Sequence, residues 1–195
     1  RDLNKGPVTA SALKAIYREI MSCSLALEKP LNIAALGQKG SYTYAAARQI
    51  FGSQATYVGC GTIGEVFQRV EENACDYGVV PIENSTEGAV TPTFDFLAES
   101  ELKICREDMR EIRHNLLSKY PKNKIKKIYA NPQASAQCRN WLAHNMPTVE
   151  LIWVASTTDA AAHAVREKGA AAIGSREAGE EYNLRVVVEN IYDTA

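Results

Sequence analysis

After Pro30, short apolar runs alternate with polar, helix-like runs, and this rhythm limits the fold more than any other feature. LNIAALG, TYVGC and YGVVPI are each followed by a helical pattern, and IKKIYA, LIWVAS and AAIGS repeat the arrangement further along the chain. Strands that alternate with helices form parallel βαβ units, because a parallel connection must return to the same end of the sheet. We therefore predict an α/β fold with parallel or mixed sheets covered by helices.

The alternation is interrupted at residues 103–118, where a long charged stretch has an extended pattern and no helix follows. This interruption predicts two lobes joined by crossing strands, with 184–193 as the strand that returns to the first lobe. Lobe 1 would then hold about 30–108 plus 184–195, and lobe 2 about 109–183. Ligands commonly bind between lobes and at the carboxyl ends of parallel strands, so we expect a ligand there.

One amphipathic helix, over residues 10–29, precedes this pattern and ends at Pro30. Its apolar residues recur every three or four positions. They are Leu13, Ile16, Tyr17, Ile20, Met21 and Leu25. This apolar face needs a partner, either the first lobe or another chain, and we predict a homodimer.

Composition excludes several classes of function. Lysine and arginine number 22 against 23 acidic residues, so no charge excess favours nucleic acid or an anionic membrane. No apolar run approaches the roughly 20 residues that span a bilayer, and RDLNKGPVT has no signal-peptide pattern, so we predict a cytoplasmic protein. The five cysteines and three histidines are dispersed, which predicts free thiols and no metal site.

Ser, Thr, Gly or Asn occupies nearly every predicted strand-to-helix junction. The junctions are GQKGSYT, GCGTIGE, ENSTEGAV, NPQASAQ, ASTTDAA and GSREAG. Helix capping explains any single one of them. Together, however, they would offer backbone N–H groups and hydroxyls at one sheet edge, which favours a small anionic ligand. Neither GxxxxGK[ST] nor GxGxxG occurs at the first junction, GQKGSYT, so this junction gives only a weak indication of nucleotide binding.

Several motifs, in order and at similar spacing, resemble the prephenate dehydratase family over residues 31–193. They are AALGQKGSYTYAAA, DYGVVPIENSTEGAV, IRHNLL, NPQASAQCRNWL, STTDAAA, AAIGSREAGEEYNL and VVENIYD. In front of them, GPVTASALKAIYREIMSCSLALEKP looks like the last helix of a chorismate mutase domain. The resemblance implies a bifunctional chorismate mutase/prephenate dehydratase truncated at both ends, with 1–29 from the mutase and linker and 30–195 from the dehydratase.

The resemblance also implies the fold and the reaction. The fold is the two-lobed, type 2 periplasmic-binding-protein-like fold, preceded by one helix, with the active site between the lobes. The reaction converts prephenate to phenylpyruvate with loss of carbon dioxide and water, and it needs no cofactor and no metal. Two alternatives stay open, namely a non-catalytic anion-binding module of the same fold and an arogenate dehydratase.

The family's site residues carry over position by position. Glu83 and Asn84 are implied to be catalytic, through contacts with the departing hydroxyl and the ring. The implied substrate-binding residues are Ser41, Ser85, Asn115, Gln137, Ser156 and Thr157.

Two departures from the family pattern affect these expectations. Ala130 and Asn131 stand where the family usually has Ser-His, so substrate affinity or choice is expected to differ. The sequence ends at IYDTA, before the family's catalytic Thr-Arg-Phe segment and its regulatory ACT domain. We therefore expect impaired turnover by this chain, and feedback inhibition by phenylalanine only if the full-length protein carries the ACT domain.

Overall fold

The computed structural model describes residues 4–84 and 88–193. The chain divides into two compact units. Unit 1 comprises Arg1–Gly37 and Thr43–Glu107, and unit 2 comprises Gln38–Tyr42 and Asp108–Ala195. Both units contain helices and strands, which confirms the predicted α/β class.

The helices are α1 (Ala10–Glu28), α2 (Tyr42–Phe51), α3 (Ile63–Glu71), α4 (Thr91–Glu99), α5 (Pro132–Gln137), α6 (Arg139–Asn145), α7 (Thr157–Ala164) and α8 (Arg176–Glu181), with a 3₁₀ turn at Lys122–Lys124. The strands are β1 (Asn32–Leu36), β2 (Thr56–Cys60), β3 (Tyr77–Val79), β4 (Glu83–Asn84), β5 (Gly88–Ala89), β6 (Asn115–Ser118), β7 (Lys127–Ala130), β8 (Glu150–Trp153), β9 (Ala170–Gly174) and β10 (Arg185–Val188). Within the described residues, no helix is both long and apolar enough to cross a membrane.

Unit 1 is built on a parallel three-stranded sheet in the order β2-β1-β3. The central strand β1 is covered on both faces, since Ile33 and Ala35 belong to one apolar cluster and Ala34 to another. This burial explains why its sequence is continuously apolar rather than alternating. A separate antiparallel pair, β4-β5, follows β3 along the chain and pairs Glu83 with Ala89 and Asn84 with Gly88.

Helix α1 contacts the rest of unit 1 through polar residues and exposes several apolar ones. The backbone N–H of Gln54 donates to Ser22 Oγ over 3.2 Å, and that of Ser53 donates to Glu19 Oε2 over 3.1 Å. Gly52 has φ +85°, and a Cβ there would lie 2.5 Å from the Cβ of Ser22, so glycine permits the close approach. Five of its apolar side chains are more than half exposed: Ile16, Tyr17, Ile20, Met21 and Leu27.

Unit 2 contains a mixed five-stranded sheet in the order β10-β6-β9-β7-β8. Strands β7, β8 and β9 run parallel, whereas β6 is antiparallel to both of its neighbours. The carboxyl ends of the three parallel strands therefore share one edge of the sheet, from which α5, α7 and α8 begin. Because Asn115 pairs with Gly174, the start of β6 lies at the same edge.

Two sequence-based assignments were wrong. Of residues 103–118, only Asn115–Ser118 form a strand, and the residues before them have no regular structure. The segment 184–195 was assigned to lobe 1, but β10 pairs with β6 and belongs to unit 2. Pairing with β10 removes an exposed edge from the buried strand β6, which explains why the strand stays with this sheet.

Candidate functional site

Polar residues at the parallel edge of unit 2 cap the helices that begin there. Asn131 Oδ1 accepts from the backbone N–H of Gln133 over 3.0 Å, and Ser156 Oγ accepts from Asp159 over 3.0 Å. Ser175 is buried, and its Oγ accepts from the backbone N–H of a residue in the first turn of α8 over 3.0 Å. Helix capping is therefore a role that these junction residues do fulfil, and it directs three helix N-termini to one edge.

A chain of three side chains, Tyr42, His114 and Gln137, lies at the same edge. The Tyr42 hydroxyl is 2.9 Å from His114 Nδ1, and His114 Nε2 is 2.7 Å from Gln137 Oε1. His114 is only 3% exposed, and burial lowers its pKa, which favours the neutral imidazole. Burial raises the pKa of Tyr42, so its hydroxyl keeps its proton at neutral pH.

The segment that follows β10 runs past these residues and is fixed by backbone hydrogen bonds. The N–H of Ile191 donates to the carbonyl of His114, and that of Asp193 donates to the carbonyl of Gln137, each over 2.8 Å. Asn115 is buried and accepts from the N–H of Asn190 over 3.1 Å. The order of these contacts places the last described residues of the chain beside His114, Asn115 and Gln137.

Asn115 and Thr157, two predicted substrate-binding residues, both lie beside Gly174 at the end of β9. Asn115 Nδ2 donates to the Gly174 carbonyl over 3.4 Å, and a Cβ built on Gly174 would lie 3.7 Å from the carbonyl oxygen of Thr157. Ser156, which caps the helix that Thr157 opens, is half-buried. The structure therefore brings these three predicted residues to one edge of one sheet.

The GQKGSYT junction contributes its central residues to unit 2. Ser175 Oγ donates to the Gly40 carbonyl over 2.9 Å, and Lys39 forms a 2.6 Å ion pair with Glu181. Gly40 has φ +93°, and a Cβ on it would lie 3.0 Å from Cα of Ala178, so both its backbone conformation and its surroundings favour glycine. The half-buried Ser41, predicted to bind substrate, is carried by this docked segment.

The predicted catalytic pair belongs to unit 1. Glu83 is exposed and Asn84 half-buried, and together they form β4, paired with Ala89 and Gly88 of β5. The predicted substrate-binding residue Ser85 lies outside the described residues. Within the part of the chain that the structure describes, no cluster of three or more His, Cys, Asp or Glu side chains could hold a metal ion.

Sequence reasoning missed Tyr42 and His114. His114 was interpreted as one of three scattered histidines, although it directly precedes the predicted site residue Asn115. His114 could have been identified from its position, because it is a titratable side chain next to a predicted site residue at the start of a strand. Tyr42 follows Ser41 in the first junction, but its partners are more than 70 positions away in sequence, so no local pattern indicates them.

Comparisons with known proteins agree with the motifs. A family model described as prephenate dehydratase matches residues 33–195. The chain is similar to the bifunctional chorismate mutase/prephenate dehydratase of Aquifex aeolicus, with 41% identity over 195 residues, 100% of this chain and 54% of that protein. It is also similar to the prephenate dehydratase of Methanocaldococcus jannaschii, with 42% identity over 141 residues, 69% of this chain and 48% of that protein.

A solved structure extends the likeness to the fold. The prephenate dehydratase of Arthrobacter aurescens, in complex with L-Phe, is 32% identical with a TM-score of 0.77, over 84% of this chain and 56% of that one. This likeness confirms the two-lobed fold class that the motifs implied. The chain spans about half the length of the first curated relatives it matches. Because the family model matches most of the sequence, the chain belongs to the prephenate dehydratase family.

Proposed function

We propose that this protein converts prephenate to phenylpyruvate, with release of carbon dioxide and water, as a lyase of phenylalanine biosynthesis. The match of residues 33–195 to the prephenate dehydratase family carries this proposal. The polar edge of unit 2 supports it, because Ser156, Thr157, Asn115 and Gln137 provide hydroxyl and amide groups there. That the substrate lies between the two lobes stays a prediction.

The chemistry of the substrate fits residues of this type. Prephenate carries two carboxylates, and amide N–H groups, hydroxyls and helix N-termini bind carboxylates well. The ring carboxylate leaves as carbon dioxide while the ring hydroxyl leaves as water, and the ring becomes aromatic. The protein has to hold the dianion in place, supply a proton to the departing hydroxyl, and stabilise the charge that develops.

We assign the binding of substrate polar groups to Ser41, Asn115, Gln137, Ser156 and Thr157, and to Ser85. Glu83 and Asn84 are the proposed contacts to the departing hydroxyl and the ring. Glu83 is exposed in the β4-β5 pair, so its carboxyl group is accessible to a ligand that arrives from solvent.

The exposed apolar face of α1 supports association with further helices. Its polar residues Glu19 and Ser22 are already occupied by the body of unit 1, so the apolar side chains are left for another partner. We propose that α1 is the last helix of a chorismate mutase domain and that this face contributes to a homodimer. Sedimentation of the protein should give a dimer, and a monodisperse monomer would contradict the assignment.

A cytoplasmic location also stays a prediction.

Product analysis with matched variants tests the function. We expect Gln137→Ala to weaken prephenate binding by about tenfold, the effect of losing one to two hydrogen bonds to a charged group. Gln68→Ala is the control, because Gln68 is an exposed amide on α3 whose side chain bonds Glu72. Equal affinity of both variants for prephenate would contradict the role of Gln137.

The identity of the product separates the alternatives. Phenylpyruvate from prephenate supports the proposal, whereas phenylalanine formed from arogenate in preference would indicate an arogenate dehydratase. Prephenate binding without any product, in a protein that contains the Thr-Arg-Phe segment, would indicate a non-catalytic binding module.

A further inference from the structure

Two hydrogen-bond contacts join Tyr42 to Gln137 through a buried histidine, and all three residues belong to unit 2. The Tyr42 hydroxyl lies 2.9 Å from both His114 Nδ1 and the carbonyl oxygen of Arg113. On the other side of the ring, His114 Nε2 lies 2.7 Å from Gln137 Oε1. The rings of Tyr42 and His114 meet edge to face, with centroids 5.7 Å apart and planes at 78°.

The Gln137 carbonyl oxygen, which faces His114 Nε2, assigns the donors in this chain. A carbonyl oxygen only accepts, so the 2.7 Å contact to Gln137 Oε1 requires a proton on His114 Nε2. Burial favours the neutral ring, which has one proton, so Nδ1 must be an acceptor. The Tyr42 hydroxyl is the group that faces Nδ1 and can donate to it, while the Arg113 carbonyl, at the same distance of 2.9 Å, competes for its single proton.

We infer that Tyr42 is a positioning residue, whose hydroxyl holds His114 in its Nε2–H form and thereby orients the amide of Gln137. Because its carbonyl oxygen is bound to His114, the Gln137 amide directs its N–H groups away from the histidine ring. An N–H group can bind a carboxylate, whereas a carbonyl in its place would repel one. The inference rests on the proposed function only for its last step, the contact between Gln137 and an anionic substrate.

The surroundings make Tyr42 suited to this role. Its backbone opens α2 and belongs to the segment that Ser175 anchors through the Gly40 carbonyl. The opposite tautomer would place a proton on Nδ1 and leave Nε2 as an acceptor facing the Gln137 carbonyl, which is repulsive. To avoid this repulsion, the amide would have to turn over and present its carbonyl where the N–H groups now point.

Nitrogen NMR of the histidine side chains tests the inference directly. We expect the native protein at neutral pH to show His114 with a protonated Nε2 and an unprotonated Nδ1. His144→Gln and His163→Gln assign the other two histidines, since both residues are exposed. A protonated Nδ1 in the native protein would overturn the inference, and this result needs neither substrate nor a further variant.

Tyr42→Phe removes the hydroxyl and keeps the ring. We expect His114 to become a mixture of tautomers. In the protein extended through the Thr-Arg-Phe segment, KM for prephenate should rise about three- to tenfold with a smaller change in kcat, as loss of one oriented hydrogen bond predicts. Tyr57→Phe is the control, because it removes a comparable hydroxyl bond, to the Gly52 carbonyl in unit 1. It should leave the His114 signals and KM unchanged.

Failure of the inference and failure of the proposed function give different results. If Tyr42→Phe leaves the His114 tautomer as in the native protein, or changes KM no more than Tyr57→Phe does, Tyr42 does not position Gln137. If neither the native protein nor any variant acts on prephenate, the proposed function fails. The tautomer measurement still shows whether Tyr42 determines the protonation of His114.

Discussion

Asp193 should stabilise a helix to which it does not belong. Helix α6 begins after Cys138, which makes no side-chain capping bond. Instead, the Asp193 carboxylate accepts from the backbone N–H groups of Asn140 over 2.7 Å and Trp141 over 2.9 Å. Both groups belong to the first turn of α6, so Asp193 caps the helix from a distant part of the sequence.

General energies of helix capping give the expected loss of stability. Removing a side chain that caps a helix costs about 0.5–2 kcal/mol, and a carboxylate near a helix N-terminus adds roughly 0.3–1 kcal/mol through the helix dipole. Since both carboxylate oxygens are used, Asp193→Ala should lower the free energy of unfolding by about 2 kcal/mol. Asp193→Asn keeps an oxygen acceptor and should lose about half as much. The bond from the Asp193 backbone to Gln137 remains in both variants.

Urea unfolding followed by tryptophan fluorescence measures this loss. Both tryptophans, Trp141 and Trp153, lie in unit 2, and Trp141 is part of α6. With a slope of about 1–2 kcal/mol per molar urea for a unit of this size, the midpoint should fall by roughly 1–2 M in Asp193→Ala. Asp95→Ala, at an exposed position in unit 1, serves as the control. An unchanged midpoint in Asp193→Ala would refute the capping argument.

Three further predictions concern stability. Asn115→Ala should lower the free energy of unfolding by about 2 kcal/mol, because buried backbone groups lose their partner; a loss near zero in urea unfolding would show that solvent replaces the amide. Gly40→Ala should cost more than Gly88→Ala, since both have positive φ but only Gly40 lacks room for a Cβ; equal losses in thermal unfolding would remove the packing argument. Hydrogen bonds from the Asn32 N–H and from a lysine hold the pKa of Asp76 below its usual 3.8. The stability that Asp76 provides is therefore present above that pH and lost as pH falls through the lower, folded-state value. Acid unfolding of Asp76→Asn should accordingly depend less on pH, and an unaltered curve would contradict the assignment.

Much of the fold could be predicted because its signals are local. The apolar runs that became β1, β7 and β9 lie between helical patterns, and burial on both faces keeps such strands apolar throughout. The helix caps Ser156 and Ser175 could likewise be predicted, since capping depends on residues three positions apart.

What the sequence did not predict depends on contacts distant along the chain. The valines of β10 fit any apolar sheet edge, so periodicity alone did not indicate that they pair with β6 rather than with the first lobe. Tyr42 meets His114 across 72 positions and Asp193 meets Asn140 across 53, so neither contact leaves a local signal. Family motifs led to Gln137 and Asn115, but the contacts that hold them required the structure.

Prephenate turnover tests the proposed dehydratase activity. The assay follows phenylpyruvate by its absorbance in alkali, for this chain and for a version extended through the Thr-Arg-Phe segment, with Glu83→Gln in each. We expect the extended protein to form phenylpyruvate, and Glu83→Gln to slow its formation by about 10²-fold or more, the usual contribution of a group that transfers a proton in the transition state. No phenylpyruvate from either version, in folded protein supplied with prephenate, would contradict the account.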